Sequence, residues 1–176
     1  MPSLRGGRYA ELSMSALDSN RTPASAPPAE SGRTVDAADL RVRRGPDGKL
    51  DAHVIFTSHA ATLAALRWVA RLGNRLGTRP IVLMFYVVPY TLPLDWRAVP
   101  EGFLEGRIRA LKTDTPVEFS VRIYLCRNSK ESLRQILRPG SLVVVGGKKR
   151  WWPTDEQRLA GRLRKEGHQV FLVDSF

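Results

Sequence analysis

From residue 53 onward the apolar positions alternate between two rhythms. His53-Val54-Ile55-Phe56-Thr57 is a short apolar run of strand type. From Ala60 to Leu76 the spacing turns helical: Leu63, Leu66, Val69, Ala70 and Leu72 recur near 3.6 residues, with arginines between them. Gly77 follows as a C-cap. Pro80–Val88 is apolar at almost every position, as a strand covered on both faces requires. Pro100 opens a further helical pattern through Lys112, with Phe103, Leu104, Ile108 and Leu111 on one side. Between Val117 and Leu125 apolar residues strictly alternate with polar ones, the mark of a wetter strand at a sheet edge. Asn128-Ser129-Lys130-Glu131 has the form of a capping box, and Leu133, Ile136 and Leu137 form the apolar stripe behind it. Pro139-Gly140 ends that helix. Ser141–Val145 predicts a buried strand, Thr154-Asp155-Glu156-Gln157 a second capping box, and Leu159, Ala160 and Leu163 the face of the helix it opens. Gly167 closes that helix, and Val170–Val173 is the last strand.

Strict strand–helix alternation implies a parallel sheet with helices on both faces. The expected fold is a Rossmann-like, doubly wound five-stranded α/β sheet. The strand order 3-2-1-4-5 satisfies the pattern, because it buries the apolar strands 1, 2 and 4 and leaves the alternating strand 3 at an edge. The domain is expected over residues 51–176. Residues 1–50 show no periodicity, and the stretch 19–32 is rich in Pro, Ala and Ser. Such a segment buries too little apolar surface to offset chain entropy, so a disordered leader is expected there.

Charge adds one feature. The net charge is +11, with eight Lys/Arg against six Asp/Glu before residue 51 and 20 against 11 after it. The excess therefore lies on the expected domain, which suits nucleic acid, nucleotides or acidic surfaces, or a basic solvated exterior. No apolar run approaches the ~20 residues of a membrane span. Met1–Arg8 is followed by no apolar segment of signal-peptide type, so a cytoplasmic protein is expected, with no membrane association. The single cysteine, Cys126, excludes an internal disulfide and a multi-cysteine metal site. The three histidines (His53, His59, His168) have no metal-ligand spacing, so no metal is expected. No acid/base pair or nucleophile triad is legible, and the chain is expected not to be an enzyme.

In an open α/β sheet ligands bind beyond the C-terminal strand ends, where the strand order reverses. Between strands 1 and 4 that position holds Thr57, Ser58 and His59 on one side and Gly146, Gly147, Lys148, Lys149 and Arg150 on the other, with Val87 from strand 2. The glycines would admit close backbone approach and the cations an anion. Trp151-Trp152 either stacks a base or packs the loop onto the sheet.

The helix pattern Ala65–Ala70, the Val87-Val88 strand end, the Leu142–Gly146 strand and the final Val170–Val173 resemble a universal stress protein domain of the adenine nucleotide α-hydrolase-like superfamily, over about residues 52–174. ATP-binding members of that family carry an Asp at the end of strand 1, where this chain has Thr57. They also carry a Gly-x2-Gly-x9-Gly-Ser/Thr loop after strand 4. Gly146 matches its first glycine, but Lys149 and Leu159 stand at the next two, and Gly161 is offset. The resemblance thus implies a non-catalytic regulatory or binding protein of the stress response, with no cofactor and no ordinary ATP binding. It would form a homodimer through its last strand and act through a protein partner. Two alternatives remain open: a nucleotide or small-anion sensor using Gly146–Arg150, and a basic nucleic-acid-binding module.

Overall fold

The structure, a computed structural model, describes residues 48–94, 102–148 and 154–175. The element order is β1 (Leu50–Ile55), α1 (His59–Leu76), β2 (Thr78–Val87), α2 (Phe103–Asp114), β3 (Ser120–Cys126), α3 (Ser129–Ile136), β4 (Leu142–Gly147), α4 (Asp155–Lys165) and β5 (Gln169–Asp174). The strands form one parallel sheet in the order β3-β2-β1-β4-β5. This is the doubly wound arrangement expected, with the alternating strand β3 at an edge.

The starts of α1, α3 and α4 and the end of α1 follow from local chemistry. Ser58 caps α1, its Oγ accepting from Ala61 N at 3.3 Å. Gly77 ends α1 in the left-handed region at φ 62°, where an L side chain is strained, and its N–H bonds Gly73 O at 2.8 Å. The Thr154–Gln157 capping box closes in both directions, at 3.3 Å and 3.1 Å. At α3 the box does not close: Asn128 Oδ1 accepts from Lys130 N at 3.0 Å, and Glu131 does not return the bond. Several boundaries shift from the sequence pattern. The first strand begins at Leu50, which is buried and donates its N–H to Gly77 O, and it ends at Ile55 before Thr57. The helix expected from Pro100 begins at Phe103 behind Gly102, and Pro100 lies outside the described residues. β3 starts at Ser120, and upstream of it Val117 N–H is taken by the Thr115 hydroxyl at 3.3 Å. The expected leader, Gly48–Leu50 apart, also lies outside the described residues.

Both faces of the sheet are covered. Val54, Val82 and Val144 pack with Leu66 and Val69 of α1, and Leu104 and Ile108 of α2 extend this core. On the opposite face Ile55, Leu83, Val143 and Val145 meet Leu133 of α3 and Leu163 of α4. Register explains why β1 and β4 are apolar throughout. Val54 pairs with Val144 and Ile55 with Val145, so neighbouring positions feed opposite cores. At about 25 cal/mol per Å² of apolar surface, this two-sided burial dominates the stability.

Candidate functional site

At the C-terminal end of the sheet the split between β1 and β4 is laced shut. Thr57 follows β1, and its Oγ1 donates to Gly146 O at 3.0 Å. Gly146 also abuts the first turn of α1. A Cβ placed there would be driven into the carbonyl group of Ala61 and lie 3.0 Å from the Ala61 Cα. Glycine is required here because a helix backbone already fills the space a side chain would need. Gly147 differs: its missing Cβ would lie 3.0 Å and 3.3 Å from Cβ and Cγ of Glu156, so the Glu156 side chain lies across this glycine.

Three helices begin around this end of the sheet, and each caps itself. Ser58, Asn128 and the Thr154–Gln157 box take up N–H groups of α1, α3 and α4. The first turn of α4 adds Asp155 and Glu156, where the helix dipole favours negative charge. A helix N-terminus attracts anions through free N–H groups and its positive end. Here both attractions are partly met by the chain itself.

A cavity of about 380 Å³ opens one strand over, above the ends of β1 and β2 and between α3 and α4. Its floor is apolar: Ile55, Phe85, Val87, Leu133 and Leu159. Its walls carry Thr57, Ser129, Lys130, Asp155, Glu156 and Arg162. The gap exists because α3 spans only eight residues while its connection must cross two strands from β3 to β4.

Of the positions singled out in the sequence, Thr57 and Val87 line this cavity. Ser58 is the α1 cap. His59 turns toward α2, its Nε2 lying 2.7 Å from Asp114 Oδ2 in an exposed pair. Gly146 and Gly147 are occupied as described, and Lys148 is exposed directly after β4. Lys149, Arg150 and Trp151–Pro153 lie outside the described residues. Sequence reasoning missed Phe85, Lys130, Leu133 and Arg162 as a group. Phe85 and Leu133 read as ordinary core, and only the crossing of α3 over β2 shows that they also face a void. The Cys126 thiol is buried, and burial pushes its pKa up, so the neighbouring helix start does not make it a thiolate. Among the described residues no three His, Cys, Asp or Glu gather as metal ligands.

The loop after β2 has a separate organisation. Arg127 donates to the carbonyl oxygens of Val88 (3.0 Å), Pro89 and Leu92 (2.6 Å), and its guanidinium stands 5.3 Å from the Tyr90 ring centroid. Tyr90 is 84% exposed all the same, and Leu92 and Leu94 are exposed beside it. One side chain thus fixes a loop that buries little of its own apolar surface. Arg127→Ala is expected to speed chymotryptic cleavage at Tyr90 and Leu92 by about tenfold or more, since bonds to a charged donor are worth about 1.5–3 kcal/mol. The far-UV spectrum and the melting midpoint should change little. An unchanged cleavage rate would show that the loop holds without Arg127.

No helix among the described residues is long and apolar enough to cross a membrane. Scans against protein-family models and against curated proteins find no match to this chain, so the structure alone places it, as a doubly wound α/β domain with a cavity at the C-terminal end of its sheet.

Proposed function

We propose that this chain is a non-catalytic regulatory or binding module, of the universal stress type it resembles, that does not bind ATP in the ordinary way. One observation supports the reading: in the described part of the region where the resemblance would place a triphosphate, the chain's own groups already make contacts. Thr57 bonds Gly146 across the strand split, Glu156 lies over Gly147, and the α4 N-terminus closes its own capping box with two carboxylates in its first turn. A polyanion would have to displace these contacts and meet like charge, which costs several kcal/mol in a partly desolvated site. Non-catalytic action belongs to the same reading; His59 pairs with Asp114 outside the cavity and Cys126 is buried in β3, so neither is among the groups that line it.

Action as a homodimer through the last strand belongs to the same reading. β5 pairs with β4 alone, and an open strand edge is a template for a second chain. A cytoplasmic location and a protein partner complete it.

Equilibrium dialysis of the full chain against ATP, with native mass spectrometry for retained nucleotide, tests the reading. No stoichiometric binding is expected at millimolar ATP. Tight one-to-one binding would overturn it and move the protein to the nucleotide sensors.

A further inference from the structure

We infer that the cavity between α3 and α4 is a binding site for a small zwitterion with an apolar middle, its ammonium end at Glu156 and its carboxylate end at Arg162. The inference rests on the reading that this end of the sheet is not an ATP site. A volume of about 380 Å³ falls at the small-molecule end of ligand pockets.

The walls are ordered along α4. Glu156, Leu159 and Arg162 all line the cavity, at i, i+3 and i+6 on one helix face. A rise of ~1.5 Å per residue sets the two charged residues about 9 Å apart along the axis, with Leu159 between them. Facing this stripe are Leu133 of α3 and Phe85 of β2, which make the middle of the site apolar on three sides. The helix therefore presents anion, apolar surface and cation in succession. The complement is a cation, an apolar segment and an anion in the same order.

Among the described residues these charges are uncommitted: the side chains of Lys130, Glu156 and Arg162 take part in no ion pair and no hydrogen bond there. Lys130 and Arg162 are exposed and Glu156 is half-buried, so the gain comes when a ligand seated on the apolar floor shields these charges from water and pairs them. Glu156 is also held in place, because its aliphatic stem packs over Gly147. At the rim Lys130 and Asp155 add one charge of each sign, so the lining as a whole is neutral. Neutral walls select against a polyanion and against a bare cation or anion, each of which leaves one wall charge unpaired.

Backbone recognition is weakened here: Asn128 Oδ1 takes the Lys130 N–H and Thr154 Oγ1 the Gln157 N–H, so most of the charge selection falls to the side chains.

The test is a ¹⁵N NMR titration of the full chain with 6-aminohexanoate, whose charges are held apart by a methylene chain. Hexanoate and hexylamine serve as single-charge controls, and ATP is run in parallel. The zwitterion is expected to shift amide signals around Leu133, Glu156 and Leu159, and to bind about tenfold tighter than either control. Glu156→Gln should weaken 6-aminohexanoate about tenfold and leave hexanoate unchanged. Arg162→Gln should weaken 6-aminohexanoate and hexanoate but not hexylamine. Equal affinity for all three short ligands, or no shift with any of them at 20 mM, overturns the zwitterion inference while leaving the non-ATP reading intact. Shifts at the same residues with ATP alone overturn that reading as well. The comparison of ligands on the unaltered chain decides the question even if a variant folds poorly.

Discussion

Gly146→Ala is expected to destabilise the protein by about 3 kcal/mol or more, far beyond the usual effect of adding one methyl group. The added Cβ would collide with the carbonyl group of Ala61, a backbone group within the first turn of α1. A flexible side chain could swing aside, but this carbonyl cannot move without displacing the helix that covers the sheet through Leu66 and Val69. Moving the β4 end instead would break the Thr57–Gly146 hydrogen bond, worth about 1 kcal/mol. Gly161→Ala is the matched control. Gly161 lies inside α4, nothing stands within 4 Å of the place its Cβ would take, and the substitution should stabilise by about 0.5–1 kcal/mol through helix propensity. Urea denaturation of both variants, read as shifts in midpoint at constant slope, gives the two signs directly. A Gly146→Ala variant within about 1 kcal/mol of wild type would show that β4 and α1 are not locked together as described.

Acid is expected to weaken the fold through its histidines. His53 lies in β1 with its Nδ1 buried and unbonded, and burial, reinforced by Arg122 and His168 against the opposing pull of Asp51, lowers its pKa from 6.5 to about 4. His168 is buried with its Nδ1 also unpartnered, and burial lowers its pKa in the same direction, against the pull of Glu166 and of a backbone hydrogen bond with Arg138. The sign follows from proton counting. Between pH 6.5 and 4 the unfolded chain carries a proton on this histidine and the folded chain does not, so stability falls as pH falls. Above pH 6.5 both states are neutral there and the effect vanishes. His53 alone should cost about 2 kcal/mol by pH 5 and about 3 kcal/mol by pH 4, at 1.36 kcal/mol per pKa unit. The window from pH 6.5 to 5 separates this from carboxylate titration, which begins lower. Stability measured across it should decline in wild type and flatten in His53→Leu, with the residual slope assigned to His168. Equal slopes in the two proteins would remove His53 from the account.

The Gly146 and His53 cases show two levels at which a sequence can be read. Gly146 is legible as a glycine at a strand end, and a strand-end glycine near a sheet's ligand crevice suggests close approach to a phosphate. The close approach is present, but its object is the Ala61 carbonyl, and Gly147 shelters Glu156. His53 sits within an apolar run that marks a strand. Nothing in the run shows that its ring nitrogen lacks a partner. The rule that gives glycine its place is local, whereas the identity of the group it meets depends on packing between elements far apart in the chain.

Strand and helix identity, the glycine stops, the closed Thr154–Gln157 box and the place of β3 at an edge all follow from the sequence by itself, because periodicity, capping and burial pattern act over a few residues. Tertiary structure alone decided the rest. The Thr57–Gly146 bond joins residues 89 apart and closes the split where a ligand was expected. His59, adjacent in sequence to that split, turns to α2 and leaves it. The cavity opens over β2 because the short helix α3 cannot cover two strands, and its lining comes from β1, β2, α3 and α4 together. A local pattern fixes which face of an element is apolar, but the void left between two such faces depends on helix lengths and crossings, which no window of a few residues contains.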